Sequence, residues 1–166
     1  MGWGSSLESG LRIFDPATGR LHSFADPNGQ RQGVGYNDAK IDRAGRCWIG
    51  TYDHAERDPR GILYCLEANG QDTVADSGFA VCNGPAFSPD GRILYFSDTV
   101  GRHILAYDMS TTSPRLTNRR LFAADPVMGV FVVDPKAQQA ALLGGPENLN
   151  LAGIGGIEFA DGLLRV

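Results

Sequence analysis

A chain of 166 residues with 42% hydrophobic and 20% charged residues has the composition of an ordinary folded domain built on one core. Its net charge of −4 and pI near 5.3, with no basic run denser than "NRR" at 118–120, argue against nucleic acid or an anionic membrane as partner. No apolar stretch approaches the ~20 residues that cross a bilayer, and "MGWGSSLESG" lacks the basic onset and apolar stretch of a signal peptide.

Helical periodicity is nearly absent, and 22 glycines are spread along the chain among Pro, Asp and Asn. That pattern signals many short strands joined by tight turns. From Gly10, "GLRIFDPATGRLHSF" reads as one hairpin, the outer half of a larger unit. From Tyr36, "YNDAKIDRAGRCWIGTYD" and the segments after it predict strands at Asp38–Asp42, Arg46–Thr51, Gly61–Glu67 and Asp72–Ala75. From Cys82, "CNGPAFSPDGRILYFSD" and its sequel predict Gly84–Ser88, Arg92–Ser97, His103–Asp108 and Thr117–Ala123. In "SPDGR" Pro89 fixes φ, Asp90 can bond the backbone downstream and Gly91 accepts positive φ, so a hairpin turn is expected there.

The two segments align without a gap, with Asn37 on Asn83, Ile41 on Phe87, Gly45 on Gly91 and Trp48 on Leu94. Trp48 and Leu94 are therefore expected at equivalent buried positions. After Ala123, "VFVVDP" looks like another outer-half strand, and "IGGIEFADGLLRV" like a fresh inner pair with Gly155 where the Asn stood. These read as parts of two further units. Four antiparallel strands in about 40–50 residues is the size of one β-propeller blade. The predicted fold is all-β, a single partial propeller over residues 1–166 with complete blades at about 36–76 and 83–123.

The first strand of a blade lies innermost, so Asn37 and Asn83 stand at its entrance, one blade apart, facing one channel mouth. An Asn carbonyl is a hard neutral oxygen ligand suited to Ca²⁺, Mg²⁺ or Mn²⁺. Asn is also a common turn residue ahead of a strand, and the residues alone leave both readings open. Asp98, closing "YFSDT", reads as a turn cap, while His54 and Glu56 in "DHAERDPR" read as a solvated loop. His22 and His103 fall on outer strands with no partner nearby in sequence. Cys47, Cys65 and Cys82, odd in number and without metal-type spacing, read as buried inert thiols of a cytoplasmic protein.

"YNDAKIDRAGRCWIGTYD", "RGILYCL" and "VCNGPAFSPDGRILYFSDTVGRHILAYD" resemble the regucalcin (senescence marker protein)/gluconolactonase/luciferin-regenerating enzyme family over roughly Gly10 to Ala123. The resemblance implies a six-bladed propeller, about half of whose blades are present here, with one divalent cation at the channel mouth. It makes Asn83 a metal ligand, Asn37 a residue facing metal and substrate, and a sugar lactone the substrate, with Ca, Mn, Mg or Zn as the cation. The sequence departs from the family at three places. A metal-binding Glu of the first blade would precede this chain. "DPVMGVFVV" stands where an Asp in a "PDG" motif is expected, and Gly35 stands where an arginine is common. The expected function is divalent-metal-dependent lactone hydrolysis, with poor turnover by this chain as it stands. The alternative is a non-catalytic propeller fragment acting as a binding or scaffolding module. Open blade edges would favour self-association.

Overall fold

In the computed structural model, residues 3–7, 10–29, 31–124, 130–134, 139–144, 158–160 and 163–165 are described, with side chains over 10–29 and 31–122. Among them are fifteen strands and no helix. Strands β1 (Trp3–Leu7), β2 (Gly10–Asp15) and β3 (Arg20–Ala25) form one antiparallel sheet. A second sheet holds β4 (Val34–Ile41), β5 (Cys47–Asp53), β6 (Gly61–Leu66) and β7 (Asp72–Phe79) in chain order. The third repeats that order with β8 (Cys82–Phe87), β9 (Ile93–Asp98), β10 (His103–Met109) and β11 (Leu116–Ala124).

The fourth sheet is built differently. It contains β12 (Val130–Asp134), β13 (Gln139–Gly144), β14 (Glu158–Ala160) and β15 (Leu163–Arg165), ordered β13–β12–β15–β14. The two fragments expected to belong to separate units thus share one sheet, because β15 pairs antiparallel with β12. The later hairpin supplies the inner pair, and β14 runs beside β8. At the other end, β1 pairs with β2 and adds a strand to what the sequence suggested was a lone hairpin.

The sheets pack face to face. Trp48, Leu63, Cys65 and Phe79 of the second sheet meet Cys82, Leu94, Phe96, Leu105 and Tyr107 of the third in one core cluster. On its other face the second sheet packs Ile49, Tyr64 and Leu66 against Leu11, Phe24 and Ala25 of the first. Alternation along β5 explains this: Trp48 and Ile49 point to opposite faces, and each face has a neighbouring sheet.

The gap-free repeat holds only as far as the first hairpin turn. In the β4–β5 loop Asp42 N–H bonds to Arg46 O at 2.9 Å, whereas in the β8–β9 loop Ser88 N–H bonds to Ile93 O, also at 2.9 Å. The second loop is one residue longer. Side-chain chemistry accounts for the difference. The Asp42 carboxylate accepts the N–H of Ala44 and of Arg46 and closes a tight loop. In the other copy Asp90 accepts the Ser88 hydroxyl and Arg92 N–H, and the Ser88 hydroxyl accepts Ile93 N–H. Gly45 and Gly91 hold positive φ, 83° and 70°, as both turns require.

The expected match of Trp48 with Leu94 is therefore corrected. Lys40 pairs with Trp48 and Ala86 pairs with Tyr95, so the counterpart of Trp48 is Tyr95. Both Trp48 and Leu94 are fully buried, but they meet across the interface between sheets instead of repeating one position. Tyr95 packs edge-on against Phe122, ring centroids 4.8 Å apart, away from the Trp48 cluster.

A buried polar clamp joins the second and third sheets. Asp42 Oδ2 accepts Arg46 Nε–H at 2.7 Å and the Trp48 indole N–H at 2.9 Å. The Arg46 guanidinium reaches across to donate to the carbonyls of Ser110, at 2.8 Å, and Ser113. Burial alone would raise the Asp42 carboxyl pKa, but the Trp48 indole and the Arg46 amide and guanidinium outweigh it and hold it below the usual value. A lowered folded-state value means that this stabilisation is complete above the unfolded pKa of about 3.9 and disappears as pH falls through the folded value.

Two outcomes follow. Asp42→Asn leaves Arg46 buried without its counter-charge and should destabilise the chain by about 3–5 kcal/mol at neutral pH. In urea titrations at several pH values the gap from wild type should close below about pH 4; a gap constant down to pH 2 would show that the carboxylate charge contributes nothing. Trp48→Ala should cost ~3–5 kcal/mol in the same titration, and unchanged stability would contradict the indole's place at the centre of this core.

Candidate functional site

Asn37 and Asn83 lie inside the innermost strands β4 and β8, not at their entrances, because both strands begin earlier than their sequence pattern suggests. Each sits at an irregularity in pairing. In β4, Tyr36 pairs with Thr51 and Ala39 with Ile49, leaving Asn37 and Asp38 together opposite Gly50. In β8, Asn83 pairs with Ser97 and the ladder resumes at Ala86 and Tyr95; Pro85, with no N–H, cannot pair in between. Such bulges re-aim side chains that strict alternation would send to opposite faces.

The result is a polar chain across two sheets. Asn37 Nδ2 donates to the Cys82 carbonyl at 2.7 Å and to Asn83 Oδ1 at 2.8 Å. Asn83 Nδ2 in turn donates to the Thr99 hydroxyl oxygen at 2.6 Å. A backbone carbonyl only accepts, so Cys82 fixes which end of the Asn37 amide faces it. The neighbouring Asn83 atom must then be its oxygen, and its nitrogen must face Thr99. One main-chain group sets the polarity of both amides.

Thr99 is held firmly enough to end this chain. Its N–H bonds to Val81 O at 3.0 Å. The preceding residue, Asp98, accepts Ala80 N–H and Val81 N–H on its two oxygens at 3.0 and 3.1 Å. Asp98 thus ties the turn after β9 to the connection between β7 and β8, a long-range anchor where the sequence suggested a cap on a local turn. Sequence reasoning passed over Thr99, and no local motif marks it.

Other residues weighed from the sequence fall around this centre. A methyl group added at Gly35 would meet Tyr52 Cε1 at 2.7 Å and His54 Nε2 at 2.9 Å, so the rings of Tyr52 and His54 occupy the space that a side chain at position 35 would need. His54 and Glu56 are exposed, and Glu56 takes a left-handed φ of 50° in its turn. His22 lies in β3 and His103 begins β10, where its Nδ1 is 2.8 Å from Gly101 O. Burial pushes the Cys47 thiol up to about 11 and the Cys65 thiol up to about 12, and it raises that of Cys82 as well. The thiols are therefore protonated and inert at neutral pH. Gly155 and the "DPVMG" stretch lie outside the described residues.

Asp38 was also missed. Its Oδ2 accepts Gly84 N–H at 3.3 Å, which brings a half-buried carboxylate to the residue beside Asn83. Among the described residues no group of three or more His, Cys, Asp or Glu stands together in a metal-holding arrangement. The donor set at the centre is thus amide oxygen with one adjoining carboxylate, which suits a hard cation over a thiolate- or imidazole-seeking one.

Removing the Thr99 acceptor should loosen the Asn83 amide. In Thr99→Val, the side-chain NH₂ resonances of Asn83 (identified by their loss in Asn83→Ala) should shift and exchange faster with solvent, and Thr99→Ser should restore them. Unaltered resonances in Thr99→Val would show that the hydroxyl does not orient Asn83.

Residues 5–135 match the family model described as the SMP-30/gluconolactonase/LRE-like region. A putative sugar lactone lactonase of Rhizobium meliloti (strain 1021) is 28% identical over 118 residues, covering 71% of this chain and 40% of that protein. A 6-deoxy-6-sulfogluconolactonase of Pseudomonas putida is 32% identical over 106 residues, covering 63% of this chain and 36% of the other. Among solved structures, a calcium-binding protein, regucalcin, of Agrobacterium tumefaciens strain C58 superposes with a TM-score of 0.71 at 26% identity, covering 77% of this chain and 44% of that one. A luciferin-regenerating enzyme gives 0.74 at 20% identity, over 99% and 65%, a likeness of fold. The chain spans about two fifths or less of these curated relatives. With its family model, its relatives and its sheets in agreement, the chain belongs to the SMP-30/gluconolactonase/LRE-like family.

Proposed function

We propose that this chain carries part of the active site of a divalent-metal-dependent hydrolase of sugar lactones, with its sheets as blades of a six-bladed propeller. One observation carries the reading: Asn37 and Asn83, on the innermost strands of neighbouring sheets, meet at 2.8 Å with their amide polarity set by the Cys82 carbonyl. Relatives named as a putative sugar lactone lactonase and a 6-deoxy-6-sulfogluconolactonase support the substrate class, and a relative described as calcium-binding supports the cation.

Asn83 fits the role of metal ligand. Its Oδ1 has two lone pairs; Asn37 takes one and the other remains for a hard cation such as Ca²⁺, Mn²⁺ or Mg²⁺, with Zn²⁺ the borderline choice. When bound, the cation supplies a Lewis acid that polarises the lactone carbonyl. Asn37 is the substrate-facing member, a polar group already fixed in direction before substrate arrives and so able to orient a sugar hydroxyl. A carboxylate to activate water is also needed, and the remaining blades of a complete ring would contribute to the site. The three unpaired, protonated thiols favour a reducing compartment, the cytoplasm, for this chemistry.

The second reading, a non-catalytic binding or scaffolding module, is favoured by the lack of a three-residue metal-holding group among the described residues. An assay decides. The purified chain should hydrolyse glucono- and other aldono-lactones slowly in the presence of Ca²⁺, Mn²⁺, Mg²⁺ or Zn²⁺, after correction for spontaneous ring opening. Asn83→Ala should abolish that turnover, while Asn37→Ala should act chiefly on KM. Turnover unaffected by chelator or by Asn83→Ala would overturn the metal-dependent reading. Lactone binding without turnover would favour the binding module.

A further inference from the structure

The densest basic run in the chain, "NRR" at 118–120, takes no part in the site above. A bulge places its middle residue. Ala106 pairs with Arg120 and Asp108 with Thr117, so Asn118 and Arg119 together stand opposite Tyr107. Asn118 absorbs the extra residue with a left-handed φ of 51°. Arg119 thereby turns to the Tyr107 side, where its Nε–H meets Asp76 Oδ2 at 3.0 Å. Tyr107 O–H donates to the same oxygen at 2.6 Å, and the guanidinium lies over the Phe79 ring, 5.8 Å from its centroid. Arg120 alternates to the other face and pairs with Asp108 at 2.8 Å.

Held in this way but still exposed, Arg119 borders a cavity of about 490 Å³ between β11 and the β9–β10 turn. Arg102 and His103 border it from the turn. The turn is shaped for this. Arg102 adopts a left-handed φ of 53°, and its N–H reaches Thr99 O at 3.3 Å. His103 Nδ1 lies 2.8 Å from Gly101 O, and since a carbonyl only accepts, Nδ1 carries the proton. A methyl group at Gly101 would meet His103 Cε1 at 2.6 Å, so the missing side chain lets the imidazole fold against the turn. Leu105 and Leu121, cross-strand partners, form the apolar side; Leu105 is buried, whereas Leu121 is 63% exposed.

Among the described residues no Asp or Glu lines this cavity. In a chain of net charge −4 such a grouping of cations does not follow from composition. A guanidinium offers a planar fork of donors that matches the oxygens of a carboxylate or phosphate. Because the Asp76 carboxylate and the Phe79 ring already fix Arg119, it loses little freedom when an anion arrives. The leucines would cover an apolar body, and the volume falls among those of small-molecule sites, about 300–1,000 Å³. We propose that this cavity, separate from the Asn37–Asn83 centre, binds a small organic anion: a carboxylate or phosphate ester carried on an apolar body.

The test follows the Cε1–H nuclear magnetic resonances of the three histidines in the whole chain, His103 being identified by its loss in His103→Gln. Phenyl phosphate and benzoate are titrated in separately at constant pH and ionic strength. The His103 signal should move saturably while those of His22 and His54 stay in place. Arg102→Gln, and Arg119→Lys, which keeps the charge and loses the fork, should each weaken binding by about tenfold. Arg57→Gln, altering an exposed loop ion pair with Asp58, should bind as wild type does. Circular-dichroism melts establish folding, and Arg102→Gln, in an exposed turn, carries the test even where Arg119→Lys melts early. Movement without saturation, equal movement of all three histidines, or an equal loss in Arg57→Gln overturns the proposal. Inorganic phosphate bound as tightly as phenyl phosphate also overturns it, since the leucines would then contribute nothing. Tighter binding of phenyl phosphate supports a phosphate ester as the ligand, and tighter binding of benzoate supports a carboxylate.

Discussion

The site depends on how closely the second and third sheets approach at Gly50. A methyl group at that position would collide with the Cβ of Cys82, so only glycine lets β8 lie against β5 there. Gly61 repeats the requirement one strand outward, where an added Cβ would fall 2.7 Å from Thr51 O and 2.8 Å from Phe79 O. Close approach brings the Cys82 carbonyl within reach of Asn37, and that carbonyl then orders the amides of Asn37 and Asn83. Gly50 is also the single residue that faces the Asn37–Asp38 bulge. One absent side chain permits both the packing and the polar arrangement.

Polar groups in this chain serve two different ends. Asp42, Arg46 and Trp48 form a closed network in which each buried donor or acceptor has a partner, and the guanidinium extends it to the loop after β10. Such a network specifies how two sheets dock, since removing one member leaves a buried charge uncompensated. Asp98 and Asp53 likewise have both oxygens satisfied by neighbouring loops. The Asn37–Asn83–Thr99 chain is oriented but not closed: Asn83 Oδ1 retains acceptor capacity, and Asp38 stands beside it. That contrast separates structural polarity from the polarity available to a ligand.

The fourth sheet shows that strand position in a sheet need not follow chain order. In the second and third sheets the innermost strand comes first, whereas in the fourth β12 and β13 lie outside β15 and β14. Antiparallel pairing asks only for a free edge and a matching register, so an outer hairpin can be completed by an inner one made later. The strands β12, within "VFVVDP", and β14, within "IGGIEFADG", looked like remnants of two units for this reason, yet both belong to one sheet.

Much of the architecture was legible in the linear sequence. Turn residues at Gly45, Pro89, Asp90 and Gly91 punctuate short apolar runs, and their chemistry is local, so the hairpins and the spacing of Asn37 from Asn83 could be read directly. The burial of Trp48 was legible for the same reason, as a large aromatic on a strand of a sheet covered on both faces. Three features were not. The extra residue between Ser88 and Ile93 arises from a choice between hydroxyl and carboxylate acceptors that only the closed loop makes. The second role of the "YND" motif, in which Asp38 joins Asn37 on one side, arises from a mismatch with Gly50, which pairs with β4 only after folding. Thr99 joins the site through a bond to Asn83, 16 residues away in sequence. Local turn energetics determined the strands; the docking of one sheet on another decided which of their polar side chains share a site, because that depends on contacts between residues far apart in the chain.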